Sequence, residues 1–409
     1  MKLSPNPYNL IVPIKPGEKD ALMAKLEIMQ DDLYDNPLLP FRQIKSIHFA
    51  RFVILHEAGD FPDQLVFSTN YDGMLDSHLK EILNCPEADI DQVLGHCKGY
   101  PDGSEGDKIR WLKDNAKLRA YFYRGTWGMS REHIISTERL RKIAEAKIDE
   151  LTGQELSAQE LRNAIAETVK KDSEFRTYPE YKVPNFNLWE ILKLLVIAVV
   201  ILVLLPFFLI VLLAHEIADD KREYDKKYSD NDRTREFVSR EDKIVQNQLT
   251  HLVDIKPGWF RLMTLKFVLN GIAYLAKYWF NKGKLGSIPT IHYARWIIID
   301  KGKRLLFFSN FDGSWESYLG DFVDKAAVGL TGVWSNTVEF PKTRGLVFRG
   351  ARDEQRFKSW TRSKQHITHV WFSAYPDLTV TNIANNKALH EGLTHDLSQK
   401  EIEEWLLRY

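Results

Sequence analysis

The sequence predicts an α+β fold made of two copies of one βαββαβ unit, with a membrane helix or helical hairpin between the copies. Three observations carry this prediction. Short motifs recur in the same order at offsets of 240 to 244 residues, both copies show the same pattern of strands and helices, and residues 194 to 214 carry no charge. The composition is globular, since 12% of the 409 residues are aromatic and 56 basic residues balance 56 acidic ones. Such a balance creates no basic field, so we expect no nucleic-acid partner.

The internal repeat rests on three matched motifs, and internal similarity of this kind defines the architecture of a chain. IKPG at 14–17 recurs at 255–258, IHFAR at 47–51 recurs as IHYAR at 291–295, and FSTNYDG at 67–73 recurs as FFSNFDG at 307–313. Because both the order and the spacing are kept, we interpret the two halves as a duplication.

Each copy can be assigned the same elements from residue type and periodicity. The first strand ends at Pro-Gly, a helix follows, two strands rich in β-branched and aromatic residues form a hairpin, and a helix begins after Asp-Gly. A late strand completes the unit. The predicted elements are strands 10–14, 47–55, 64–70 and 118–124 with a helix over 18–34, and strands 249–255, 291–300, 304–310 and 367–375 with a helix over 259–280.

This order is the ferredoxin-like pattern, whose antiparallel sheet needs a cover on its open face. Two such units in one chain cover each other as a pseudo-dimeric α/β barrel, which is the architecture we expect. A strand and helix inserted over 344–360 distinguish the second copy. The predicted boundaries are unit 1 at 1–127, a charged helical linker at 128–187, a membrane segment at 188–214, a charged connector at 215–246, unit 2 at 247–385 and a C-terminal helix at 386–409.

Two sequence motifs predict helix starts outside the repeat. Ser157 with Glu160, and Ser398 with Glu401, have the spacing of a capping box. We therefore expect helices in the linker and at the C-terminus, the latter docking through Trp405, Leu406 and Tyr409.

The uncharged run, LLVIAVVILVLLPFFLIVLLA, is long enough as a helix to cover the roughly 30 Å hydrocarbon core of a bilayer. It lacks the polar stripe that a core helix keeps, so we expect the lipid bilayer to be a partner. No signal-peptide run opens the chain, and Cys85 and Cys97 form no CxxC pair. The soluble parts are therefore expected on the cytoplasmic side.

A single span would separate the two copies by the membrane, and the barrel could then not form within one chain. Pro206 removes a helical hydrogen bond, which favours a hairpin or monotopic insertion that returns to the starting side. Five basic residues between 170 and 193 and four between 215 and 227 leave the flanking charge balanced. A simple span remains the alternative.

A second passage over 259–280 would also solve the topology. Lys266 and Lys277 interrupt that segment, so we prefer an amphipathic helix that rests on the headgroups.

Asp72 and Asp312 stand in the repeated Asn-x-Asp-Gly, at a strand-to-helix turn. A carboxylate there could act as an acid–base group at a pocket mouth. The same residues suit a helix N-cap with an Asx turn. Repetition of the turn in both copies favours capping, and catalysis is the alternative.

Each copy also carries a His-x-x-Arg pair inside a strand, His48 with Arg51 and His292 with Arg295. Alternation along a strand would place the two side chains of a pair on opposite faces, where they cannot share a ligand. Arg51 or Arg295 alone could hold an anion between the sheets. A salt bridge to the duplicated aspartate is the favoured alternative.

His366 and His369 begin the last strand of the second copy and are the candidate cofactor ligands. No HExxH motif is present, so we predict no metal site. The chain also lacks GxGxxG after a strand, GxxxxGK[ST] and GxSxG, the usual motifs of nucleotide binding and serine hydrolysis.

The second half, with HYARWIIID, LLFFSNFDGSWESYL and VWFSAYPDLT, resembles a group of uncharacterised bacterial membrane proteins with tandem ferredoxin-like units. More remotely, it is similar to the dye-decolouring peroxidases, which bind haem between such units. Their GxxDG motif would fall on residues 69–73 or 309–313, with Thr69 and Ser309 in place of the first glycine. The resemblance implies Asp312 and Arg295, or Asp72 and Arg51, as catalytic residues.

These observations predict a binding or interaction module at the membrane surface, with the two halves paired and homo-oligomers possible. The alternative is a haem-dependent, peroxidase-like oxidoreductase. A lipid or fatty-acyl binder that uses the space between the sheets is the third hypothesis.

Overall fold

The structure, a computed structural model, describes residues 5–117, 119–178, 187–218, 232–279, 285 and 287–409. Over these residues the chain has the mixed α+β composition that the sequence predicts. The strands are β1 Asn6–Pro13, β2 Ile47–Leu55, β3 Gln64–Tyr71, β4 Tyr121–Arg124, β5 Gln246–Asp254, β6 Ile291–Ile299, β7 Arg304–Asp312, β8 Thr343–Arg344, β9 Phe348–Arg349 and β10 Val370–Ser373. The helices are α1 Lys19–Asp31, α2 Leu75–Leu83, α3 Asp91–Leu94, α4 Glu105–Asp114, α5 Arg131–Leu151, α6 Ala158–Lys170, α7 Leu188–Ala218, α8 Asp232–Arg240, α9 Trp259–Tyr278, α10 Trp315–Trp334, α11 Glu354–Lys364, α12 Val380–Thr394 and α13 Gln399–Leu406.

The last strand of each copy belongs to the sheet of the other copy. Two antiparallel four-stranded sheets have the orders β1-β3-β2-β10 and β4-β6-β7-β5. In the first sheet Trp371 of β10 pairs with Arg51 of β2, and in the second Phe122 of β4 pairs with Arg295 of β6. The prediction that each late strand completes its own unit is therefore wrong. Residue periodicity identifies a strand, but it does not say which exposed strand edge that strand will cover.

The core lies in three layers around these sheets. Strands β2, β3 and β7 are buried along their whole length. An apolar cluster between the sheets draws on both halves of the chain, and its members are Ile11, Val53, Leu55, Val66, Leu252, Ile297, Ile299, Leu306 and Phe308. The outer face of the first sheet packs on α1 and α2, and that of the second on α9, α10 and α11. Each sheet is therefore buried on both sides.

Helices α5, α6, α12 and α13 form a separate helical cluster. Both predicted capping boxes are present, at the starts of α6 and α13. Trp405 is 4% exposed in this cluster, and its indole N–H donates to the Leu389 carbonyl at 3.0 Å. The predicted docking of the C-terminal helix through Trp405 is confirmed.

Helix α7 runs without interruption for 31 residues and contains Pro206 in its interior. Its residues Leu188–Ile217 are long and apolar enough to cross a membrane. The predicted hairpin at Pro206 is wrong. A proline removes one helical hydrogen bond at a cost of about 3 kcal/mol, and α7 remains helical on both sides of Pro206.

The exchange of strands predicts that the halves stay together after the chain is cut. We expect a chain cleaved at a protease site inserted after Asp225 to elute as one particle in mild detergent, because each sheet contains strands from both fragments. Size-exclusion chromatography with and without urea checks this. Separation of the fragments without denaturant would contradict the exchange.

Candidate functional site

A β-bulge near the start of β2 and of β6 turns the duplicated histidine and arginine toward the same space. The register shifts between Ile47 and Phe49, and again between Ile291 and Tyr293. An extra residue changes the phase of alternation by one. The prediction that His48 and Arg51 face opposite sides is therefore wrong, because it assumed a regular strand.

Contacts across the sheets confirm the shared direction. His48 Nδ1 lies 3.3 Å from the Tyr293 hydroxyl, and Arg51 donates to the Ser309 carbonyl at 2.9 Å. Both partners belong to the second sheet.

Arg51 inserts its guanidinium among oxygens of the second sheet. Nη1 donates to the Leu249 carbonyl at 2.9 Å and to Thr250 Oγ1 at 3.1 Å. Nη2 donates to the Ser309 carbonyl at 2.9 Å and to Asn310 Oδ1 at 2.5 Å. The side chain therefore fastens β2 to β5 and β7.

Arg295 repeats this arrangement in the opposite direction. It donates to Asn9 Oδ1 and Ser68 Oγ at 2.9 Å each, to the Thr69 carbonyl at 3.0 Å and to Asn70 Oδ1 at 2.5 Å. These acceptors occupy β1 and β3, as those of Arg51 occupy β5 and β7. Each arginine thus links its own sheet to the opposite sheet through hydrogen bonds.

The prediction that each arginine forms a salt bridge to the duplicated aspartate is wrong, because these contacts take its place. The acceptors are carbonyl, hydroxyl and amide oxygens. Burial lowers the pKa of Arg51 well below its usual value, with the charge of Arg295 as a second cause. Burial also lowers the pKa of Arg295, to about 9. Because Asp72 and Asp312 lie at the strand ends, they bind other partners.

Asp72 and Asp312 each bind the N-terminus of a helix that lies far along the chain. Asp72 Oδ2 accepts the N–H of Arg131, the first residue of α5, at 2.7 Å. Asp312 Oδ2 accepts the N–H of Val380, the first residue of α12, at 2.8 Å. A carboxylate is favourable at the positive end of a helix. The aspartates therefore bind helix N-termini, although not those of the helices that follow them directly.

The second oxygen of each aspartate faces a buried histidine. Asp312 Oδ1 lies 2.6 Å from His292 Nε2. Asp72 Oδ1 lies 3.0 Å from His48 Nε2, at ion-pair distance but not aligned for a hydrogen bond. Each half thus carries an Asp–His pair at the end of its sheet.

The two pairs differ in what surrounds the other histidine nitrogen. His48 Nδ1 lies 2.9 Å from the Tyr375 hydroxyl, beside that of Tyr293. His292 Nδ1 has no hydrogen-bond partner among the residues the structure describes, and its ring lies 5.3 Å from that of Phe49. Phe49 and Tyr293 are equivalent positions of the repeat. Burial raises the pKa of Tyr293 and of Tyr375.

Chemically, the His48 pair could pass a proton between a carboxylate, an imidazole and a phenol. Solvent access argues for a positioning role instead. The His48 side chain is fully buried and that of Asp72 is 13% exposed. The structure brings each predicted catalytic residue, Asp72, Asp312, Arg51 and Arg295, against protein partners.

The candidate cofactor ligands lie just before β10 and contact different sheets, His369 at β2 and His366 at β5. His369 Nδ1 accepts the Ile54 N–H at 3.2 Å, and the His366 N–H donates to the Thr250 carbonyl at 2.9 Å. Burial lowers the pKa of each histidine to about 4. Within the described ranges, no group of three or more His, Cys, Asp or Glu residues is placed to hold a metal ion.

These residues do not fit a haem. The space between the sheets is filled by the apolar cluster that the two halves share. The donors of Arg295 are engaged by acceptors of the first sheet. No reaction step can be derived through haem from this arrangement.

Sequence reasoning missed several of these residues. Asn70 and Asn310 were visible in the repeated Asn-x-Asp-Gly and could have been assigned as partners of the arginines. Tyr375 has no counterpart tyrosine in the first copy, so the repeat gave no signal for it. His251 was hidden because it is a single histidine in an apolar strand.

His251 lies in an aromatic part of the second core. Its ring centroid is 5.1 Å from that of Trp334 and 4.7 Å from that of Trp360. Neither ring nitrogen has a hydrogen-bond partner in the described part of the chain. Burial lowers its pKa to about 3. The adjoining cavity, about 10 Å³, holds no more than a single water.

Comparisons with known proteins add no identity: no family model, no curated protein and no solved structure matches this chain.

The hydrogen bonds of Arg51 and Arg295 between the sheets predict a loss of stability when either side chain is replaced. We expect Arg51→Met to lower the free energy of unfolding by about 3 kcal/mol, because buried acceptors of the second sheet lose their donor. Arg295→Met should cost a similar amount. Thermal unfolding followed by circular dichroism checks this, with the exposed Arg110→Met as the control. Equal melting temperatures for all three variants would contradict the assignment.

The buried histidines predict lower stability in acid. His251 is neutral in the folded state, and its folded pKa lies below the unfolded value of about 6.5, so the unfolded chain binds more protons between these values. Well above pH 6.5 the titration of His251 does not lower the free energy of unfolding, and below that pH the free energy of unfolding falls. One such histidine costs about 2 kcal/mol at pH 5.

His251→Leu should therefore flatten the fall in melting temperature between pH 8 and pH 5. His395→Leu, at an exposed histidine, is the control. An unchanged slope in His251→Leu would exclude the assigned cause.

Proposed function

We propose that this chain is a membrane-anchored protein whose soluble body works at the membrane surface as a binding or interaction module. The observation that carries the proposal is the exposure of α7. Its most apolar stretch of 18 residues has a mean hydropathy of 3.5. None of that stretch is buried in the protein. Burying one such side chain is worth roughly 1.5 to 3 kcal/mol. A lipid bilayer supplies the missing cover.

The body holds α7 at its C-terminal end. The Glu216 carboxylate accepts the N–H groups of Gly345 and Leu346 at 3.0 Å each, beside β8 and β9. Leu212 is 1% exposed. These contacts are evidence that the C-terminal end of α7 is attached to the body at a defined place.

The repeat supports the finer architecture, two ferredoxin-like halves that together form a pseudo-dimeric α/β barrel with exchanged last strands. The sheet orders are related by the duplication, and so are the reciprocal contacts of Arg51 and Arg295. Cys85 and Cys97 are buried thiols without a disulfide, which supports a cytoplasmic body.

The filled space between the sheets favours recognition on the outer surface over an internal ligand. No observation favours the haem-dependent oxidoreductase or the fatty-acyl binder, since both need room where the apolar cluster lies.

Membrane fractionation tests the proposal. We expect Leu202→Asp combined with Phe207→Asp, at positions 72% and 68% exposed, to release most of the protein from membranes in an alkaline wash. Two charges in the hydrocarbon cost roughly 5 to 7 kcal/mol. The wild type should stay in the pellet.

Met74→Asp combined with Leu407→Asp is the matched control, at body positions 73% and 86% exposed. It should stay bound. An unchanged near-ultraviolet circular dichroism spectrum would show that each body is folded. Release of the wild type by the same wash would overturn the membrane proposal.

A further inference from the structure

Helices α7 and α9 run in opposite directions and contact each other near both ends of α7. His215, near the end of α7, stacks on Phe260 at the start of α9, with ring centroids 4.6 Å apart and planes at 8°. Phe208 lies 5.5 Å from the same ring. At the opposite end the Tyr274 hydroxyl donates to Glu190 Oε2 at 3.4 Å. The apolar helix therefore follows the surface of the body.

The outer face of α9 is also apolar. Trp259, Met263 and Phe267 recur every four residues and are 77%, 51% and 60% exposed, and Leu275 follows at 40%. Leu265 and Leu269, on the inner face, are fully buried in the second core. A helix at a water-facing surface has one polar side, whereas the outer side of α9 is mostly apolar, with the partly exposed Lys266 and the exposed Asn270 as its polar members before Lys277.

Helix α1 in the first copy provides an internal comparison, because it occupies the equivalent place in the repeat. Its outer face carries Asp20, Ala24, Glu27 and Asp31, which are all exposed. The fold therefore does not require an apolar outer face at this position. The aromatic residues of α9 belong to the half of the body that carries α7.

The exchange of strands restricts how α7 can meet a membrane. Strand β4 precedes α7 and β5 follows it, yet both are in the same sheet. If α7 crossed the bilayer, residues 219–231, DDKREYDKKYSDN, would have to return through it. Each charge at the centre of the hydrocarbon costs roughly 2.5 to 3.5 kcal/mol. A crossing is therefore incompatible with the folded body.

We infer that α7 and the outer face of α9 lie together in one leaflet, along the membrane plane, with both ends of α7 on the same side. The partner of this surface is the acyl-chain region of a lipid bilayer. Lys277, near the end of α9, donates to the Tyr278 hydroxyl at 2.9 Å, and its long stem allows the charge to remain at headgroup level. The inference rests on the proposed membrane anchoring.

Spin labels measure the depth of α9 directly. The full chain is reconstituted in phosphatidylcholine vesicles with a nitroxide at Phe267→Cys or, as the matched control on α1, at Ile28→Cys. Ile28 is 46% exposed. The native cysteines are 7% and 0% exposed, so the unmodified chain serves as the labelling blank. We expect the label at 267 to collide mainly with oxygen and the label at 28 mainly with a soluble nickel chelate.

Sidedness is measured with Asn187→Cys and Glu236→Cys, which flank α7, in membrane vesicles of uniform orientation. A membrane-impermeant maleimide should label both positions or neither. Labelling of one alone, or preference of the label at 267 for the nickel chelate, would overturn the inference and leave the membrane anchoring intact. Loss of the wild-type chain from membranes in the alkaline wash would instead overturn the anchoring itself.

Discussion

The exchange of β4 and β10 between the copies is the constraint on which the rest of the structure depends. With both halves in each sheet, neither half has a complete sheet of its own. The apolar cluster between the sheets and the helical cluster at one end then join elements from both sides of α7. A long apolar helix in the middle of the sequence would normally divide a protein into two compartments. In this chain it is attached to a single body.

Polar groups inside that body follow from the same duplication. Two guanidiniums are buried between the sheets, where an unpaired charge would be costly. Each is accommodated by a ring of oxygens from the opposite half, and Asn70 and Asn310 complete the set. The arginines do not pair with Asp72 and Asp312, and these aspartates instead bind the N-termini of α5 and α12. Around the histidines the copies differ in their side chains, since Tyr293 replaces Phe49.

The sequence predicts the repeat, the strands, the capping boxes and the apolar helix, because each depends on residues close together in the chain. It could not predict the exchange, since β2 and β6 offer similar edges to either late strand. The bulges at His48 and His292 were missed because one extra residue leaves no mark in composition. Those bulges decide the candidate site, as they bring histidine and arginine to one face. The continuity of α7 through Pro206 was missed because a proline inside a helix removes one hydrogen bond without always ending the helix.

The edge of β2 also sets a requirement on synthesis. The strand that covers it, β10, begins more than 300 residues after β2 ends. At roughly 5 to 20 residues per second, a ribosome takes on the order of 15 to 60 seconds to supply it. During that interval the N-terminal half presents an uncovered strand edge, while α7 emerges before β5 to β10 exist. Early attachment of α7 to the membrane would hold the nascent half beside the place where its missing strand arrives.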